Sequence, residues 1–185
     1  MNLFFDTEFT GLHKDTTLIS LGIVSENGKR FYAECTDFEE KQCDEWIENN
    51  VLKHLILSGN ETLAKELGED NETTVVLGSK DNVAHELSEW LSQFDSLQFV
   101  SDVCHYDMVL LIDLFGNAFD LPQNVSAVCH DINADIAKHY GISEKEAFDK
   151  SREEIVSELC KENIKGNKHN SLYDAEVIKC IYKEV

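Results

Sequence analysis

Three short apolar or alternating runs fill the first 36 residues, Leu3 to Phe9, Thr17 to Ser25 and Arg30 to Thr36, broken at Thr10-Gly11 and at Glu26-Asn27-Gly28. Runs of this length read as strands, and Asn-Gly between two of them is a strong hairpin signal. The chain therefore opens as an antiparallel meander, and everything that follows must pack onto a sheet already begun.

Downstream the period changes. Residues 38 to 57 place Trp46, Ile47, Val51 and Leu55 at helical spacing, and Asn82 to Phe94 repeats the pattern through Val83, Leu87, Trp90 and Leu91; both predict amphipathic helices. Ser58 to Asp81, polar apart from Val75-Val76-Leu77, reads as a mobile loop. Leu97 to Ser101 reads as a buried strand, Tyr106 to Phe115 as a central helix apolar nearly all round, and Val125 to Cys129 as a second strand before a short helix to Tyr140. Charged helical stretches follow Gly141, then the loop Lys165 to Lys168 and a last helix from Ser171. A meander followed by alternating strands and helices predicts an α/β fold, a mixed sheet with helices on both faces. At 185 residues with 42% hydrophobic content, one domain over 1–185 accounts for the chain.

Charge narrows the partners. Sixteen Lys and Arg stand against 36 Asp and Glu, a net of -20, which argues against a broad basic groove along a long polyanion. No run approaches 18 uninterrupted apolar residues, and the start, MNLFFDTEF, has no basic leader, so the reading is a cytoplasmic protein without a membrane partner. Six Cys without a CxxC pair signal neither a zinc cluster nor a disulfide framework and read as reduced packing residues.

Against this acidic background a few acids have unusual context. Asp6 and Glu8, two apart on the first strand, leave the same face, and Phe4, Phe5 and Phe9 mark that strand as core. Carboxylates so placed repel and desolvate badly unless a cation sits between them; the alternative is a solvated strand end. Asp107 opens the apolar helix, where it is either functional or an acid favoured by the helix dipole, and Asp102 competes with it. Asp113 falls on the opposite helix side and reads as solvated. His169 stands five before Asp174, a neutral-pH base on a loop ahead of a helical carboxylate. Ser171 to Asp174 also fits a capping box, which leaves Asp174 a purely structural alternative. Four carboxylates and one His match phosphodiester hydrolysis by two divalent ions roughly 3.5 to 4 Å apart, with Mg²⁺ suited to an all-oxygen site and the His taking the proton of the attacking water.

Taken together, Asp6-Thr7-Glu8-Phe9-Thr10-Gly11, the pair Tyr106-Asp107 and the stretch His169 to Ala175 resemble the three motifs of the DEDDh 3'-5' exonucleases, which have a ribonuclease-H-like fold. Phe5 to Phe9 and Ile19 to Val24 look most like the RNase AS type of exoribonuclease, whereas 141 to 168 is longer and more charged than that pattern. The resemblance chooses Asp107 over Asp102. It implies Asp6, Glu8, Asp107 and Asp174 as ligands of two Mg²⁺ ions, with Mn²⁺ as substitute, and His169 as general base. It also implies a single-stranded 3' end as substrate, RNA favoured, nucleoside 5'-monophosphates as products, and a homodimer. Thr7, Phe9, Thr10, Gly11 and Leu12 are the expected contacts to the terminal nucleotide, through exposed amides and the Phe9 or Leu12 side chain. Two other readings compete: a DNA exonuclease with the same chemistry, and a non-catalytic acidic protein that mimics nucleic acid.

Overall fold

The computed structural model describes residues 1–161 and 164–185; Glu162 and Asn163, in the charged stretch after Gly141, lie outside the described residues. The meander forms as its pattern requires. Strands β1 (Asn2–Phe9), β2 (Leu18–Ser25) and β3 (Arg30–Cys35) pair antiparallel in sequence. Parallel strands complete a six-stranded sheet: β4 (Thr73–Gly78) beside β3, then β5 (Gln98–Ser101) beside β1 and β6 (His130–Asp131) at the far edge.

Alternation along β1 sends Leu3 and Phe5 to one face and Phe4, Asp6 and Glu8 to the other. On the first face, Leu3, Phe5, Leu21, Ile23 and Phe31 pack against Leu87 and Leu91 of α3 (Lys80–Ser92) and Leu111 of α4 (His105–Leu114). On the second, Phe4 and Val100 meet Ile136 of α5 (Asn133–Tyr140), Ala147 of α6 (Glu144–Asp149), Ile155 of α7 (Arg152–Leu159) and Ile178 of α8 (Ser171–Glu184). Val24 and Tyr32 sit under Leu172 and Ala175 of α8. The mixed sheet with helices on both faces is thus as expected.

Elsewhere the structure corrects the sequence reading. Ser58 to Asp81 is not a loop: it holds α2 (Glu61–Glu69), capped by Asn60, and the edge strand β4. Neither element buries enough to look apolar, since α2 has no buried residue and β4 buries only Val76. The helix read over 38–57 is instead α1 (Glu45–Asn50) between two 3₁₀ turns, because the Asp44 side chain accepts from Ile47 N and starts the helix there. The strand read at Val125 to Cys129 reduces to one bridge, Leu97 to Val125, and the pairing moves on to β6. Helix α4 is less enclosed than its composition suggests, with Val109 exposed. The six reduced cysteines are corrected at one pair. Packing of α7 on α8 joins Cys160 to Cys180 as a disulfide, while Cys35, Cys43, Cys104 and Cys129 are free. Among the described residues no helix is long and apolar enough to cross a membrane.

Candidate active site

Three elements meet over the C-terminal half of β1. Gly22, opposite Asp6 on β2, lets the backbone of Ser171 and Leu172 approach so closely that a Cβ there would lie 2.3 Å from it. Ser20 and Ser171 hydroxyls, 3.0 Å apart and buried, fix the same junction. Helix α8 therefore starts directly above Asp6 and Glu8, which places Asp174 beside them. Expected capping is corrected here: Asn170, not Ser171, caps α8 by accepting from Tyr173 N, and Asp174 instead accepts from His169 N at 2.8 Å.

Asp107 arrives from α4. One of its oxygens accepts from Thr7 N at 3.2 Å and Thr7 Oγ1 at 2.5 Å, the other from Ser101 Oγ at 2.5 Å. The strand that carries Asp6 and Glu8 thus orients the third acid through the residue between them. Asp102 takes a different part. Arg152 holds it bidentately at 2.5 and 2.8 Å, and Asn133 adds 2.9 Å, so its charge is matched and it braces α7. Asp113 is exposed and pairs with Lys80, as a solvated acid should.

Asp6, Glu8, Asp107 and Asp174 line one cavity of about 350 Å³ together with His169. Among the described residues none of the four acids has a salt bridge to a cation; the nearby Lys168 pairs with Glu153 at 3.0 Å. The electrostatic consequence is large. Burial, then repulsion from Asp107, Asp174 and Glu8, holds the Asp6 carboxyl well above the usual range, and burial with Asp174 and Asp107 does the same to Glu8. Burial lifts Asp107 to about 6 despite its three donors, and Asp174 to about 7. Such a set lacks positive charge at its centre, which a hard divalent cation with oxygen ligands supplies. Two of the four acids already lie close enough to share an ion, since carboxylate oxygens of Glu8 and Asp174 fall, with a His169 ring nitrogen, within 4.8 Å of one another. His169 itself is held below its usual range by burial, Lys168 and His54, and its ring stands edge-on to Trp46 with centroids 5.0 Å apart.

A second cavity of about 490 Å³ adjoins the first, sharing Glu8, Phe9, Leu12 and His169 and walled by Trp46 and Ile47 of α1. Leu12 is 79% exposed and Trp46 51%. Phe9, which lines both cavities, stacks on Tyr106 of the first with ring centroids 5.2 Å apart. The turn residues divide here. Phe9 and Leu12 offer free surface, but Thr7 Oγ1 is spent on Asp107, Thr10 Oγ1 on Gln42 at 2.5 Å, and the Thr10 and Gly11 amides on Thr17 O and Thr16 Oγ1. Trp46 was not among the expected contacts, because its helical spacing with Ile47 and Val51 reads as core; Ile47 and Val51 are buried, and Trp46 is the member left out.

Comparison with known proteins supplies a family and a fold. The family model described as 3'-5' exoribonuclease Rv2179c-like domain matches residues 1–185. The curated 3'-5' exoribonuclease Rv2179c of Mycobacterium tuberculosis (strain ATCC 25618 / H37Rv) is 29% identical over 127 residues, 68% of this chain and 67% of that protein. Among solved structures, the nuclease domain of 3'hExo, a DEDDh family member bound to rAMP, superposes with a TM-score of 0.63 at 12% identity, covering 98% of this chain and 88% of that one. A 3'-exonuclease that recognises the histone mRNA stem-loop gives 0.61 at 11% identity, over 98% of this chain and 61% of its own length. At such identities these two likenesses speak for the fold.

Proposed function

Since the chain belongs to the Rv2179c-like 3'-5' exoribonuclease domain family, we propose that it is a 3'-5' exoribonuclease. It removes nucleoside 5'-monophosphates from single-stranded RNA ends, as a single domain over 1–185, in the cytoplasm. The convergence of Asp6, Glu8, Asp107, Asp174 and His169 on one cavity carries this reading. A nucleic-acid mimic has no need for four acids turned inward against their own repulsion. A homodimer belongs to the same reading and is tested by sedimentation.

In this reading Asp6, Glu8, Asp107 and Asp174 would hold two Mg²⁺ ions, or Mn²⁺ in their place. When bound, such cations neutralise the scissile phosphate and make a coordinated water more acidic. Asp107 is oriented in advance, since Thr7 and Ser101 fix both its oxygens. Asp174 is fixed by the His169 amide. The lowered proton affinity of His169 leaves its ring neutral and able to take the proton of the attacking water. The second cavity receives the terminal nucleotide, its base lying between Leu12 and the indole of Trp46, an arrangement tolerant of base identity.

The test is a panel of 5'-labelled single-stranded RNA and DNA incubated with Mg²⁺, Mn²⁺ or EDTA. Stepwise shortening of RNA with release of nucleoside 5'-monophosphates, abolished by EDTA, is expected. Equal rates on matched DNA would replace the ribonuclease reading with that of a DNA exonuclease, and no cleavage under any condition would end it.

A further inference from the structure

Glu34 is 1% exposed and makes no salt bridge among the described residues, yet five donors converge on its two oxygens. Tyr32 OH reaches it at 2.7 Å, and the Ile56, Leu57 and Ser58 amides and Ser58 Oγ at 2.6 to 2.9 Å. The Tyr32 phenol, pushed up by burial and by Glu34, keeps its proton and donates it there. Its oxygen then accepts from Asn170 Nδ2 at 3.2 Å. The other Asn170 amide hydrogen goes to His54 O at 2.9 Å, and its Oδ1 caps α8. Every polar atom of the Asn170 side chain is thereby committed, in a residue only 6% exposed.

Asn170 follows His169, whose φ of 64° lies in the left-handed region that a non-glycine residue seldom adopts and that its surroundings here hold in place. On one side the imposition comes from Asp174, which accepts the His169 amide. On the other it comes from this buried chain. The same chain of hydrogen bonds fixes His54 and residues 56 to 58, one 3₁₀ turn after the helix that carries Trp46, so both partners of the His169–Trp46 contact are referred to one anchor in β3.

We infer that Tyr32 and Asn170 are positioning residues that set the imidazole of His169 against Trp46 and the carboxylate cluster, with Glu34 as their anchor. The inference rests on the exonuclease reading for its kinetic consequence, but not for its geometry. Cap and relay are separable in Asn170→Ser, which retains a capping oxygen and loses both donors. Tyr32→Phe removes the relay hydroxyl alone.

Each substitution should lower kcat on RNA about 10- to 100-fold with little change in KM, the scale of a catalytic group displaced by about 1 Å. In a His169→Ala background the same substitutions should change kcat less than about twofold, because the residue they act through is gone. An equal factor in both backgrounds would make Tyr32 and Asn170 general structural residues and overturn the inference. A second readout needs no turnover: the His169 ring signal in the NMR spectrum of ¹⁵N,¹³C-histidine-labelled protein, assigned by its loss in His169→Ala. It should shift in Tyr32→Phe and Asn170→Ser toward its position in Trp46→Ala; an unmoved signal would overturn the positioning role. Absence of nuclease activity in the wild type would strike the exonuclease reading alone, and the ring signal would then decide this one.

Discussion

Asp102 and Asp107 lie five residues apart and line the same cavity, and their environments assign them opposite tasks. Arg152 matches the charge of Asp102, so Asp102→Asn weakens the brace on α7 and should leave most of the turnover. Asp107 is oriented by three neutral donors with no cation, and Asp107→Asn should cost about 10²-fold or more in kcat with the fold intact. Parallel measurement of kcat and melting temperature for both variants checks the division; the reverse ranking would exchange their roles. The raised carboxyls also predict a pH effect. Asp107 near 6 and Asp174 near 7 hold protons in the folded chain that the unfolded chain, with carboxyls near 4, releases earlier. The folded state then binds more protons between about pH 4 and 7, so the cluster's contribution to stability is present below that window and lost as pH rises through it. Divalent cations reverse the loss by binding the ionised, folded form. In melts with EDTA or Mg²⁺, the gain on adding Mg²⁺ should be larger near pH 8 than near pH 5.5. It should shrink at both in an Asp6→Asn, Asp174→Asn variant.

At the scale of elements, the site depends on how closely α8 meets β2. Gly22→Ala puts a methyl group where the Ser171 and Leu172 backbone already lies, which forces the helix off the sheet. It should destabilise by about 1 to 3 kcal/mol and, unlike a remote core change, depress kcat, because Asp174 rides on that helix. Urea unfolding with steady-state rates distinguishes the two effects. The meander and the helix at Asn82 were legible because each carries a clean period or turn signal, and the helix at Tyr106 because its run of apolar residues is too long for a strand. The five clustered residues were legible through their motifs. What escaped lies at margins: α2 and β4 at an exposed edge bury too little to leave a pattern, and Asn170 takes the cap that Ser171 seemed to offer. Trp46 escaped because helical spacing marks a face without saying which member stays uncovered. If it stacks on the terminal base as well as packing against His169, Trp46→Ala should raise KM for RNA about 5- to 100-fold, in addition to the loss of kcat expected from releasing the His169 ring. A fall in kcat alone would make it a support for His169 only.

Over the whole molecule, charge opposes the substrate that the site selects. The chain carries a net of -20, and from Glu39 to Asp95 fourteen acids face four Lys, whereas nine of the sixteen basic residues lie from Lys138 onward. Proteins that hold nucleic acid by many Lys and Arg contacts release counterions on binding and lose about 10³- to 10⁵-fold in affinity between about 50 and 200 mM salt. In the proposed reading the phosphate would be held through divalent cations in a small carboxylate-lined cavity, while the acidic surface repels the rest of the strand. Added monovalent salt screens that repulsion over a Debye length of about 10 Å near 0.1 M and has few protein–phosphate ion pairs to weaken. At saturating Mg²⁺, kcat/KM should therefore change by less than about threefold across that salt range, or rise, and an oligomer of about 20 nucleotides should gain little over one of about 5. A steep fall with salt, together with a strong preference for long RNA, would mean that the Lys and Arg residues from Lys138 onward, nearly balanced there by acids, form an extended track along the strand.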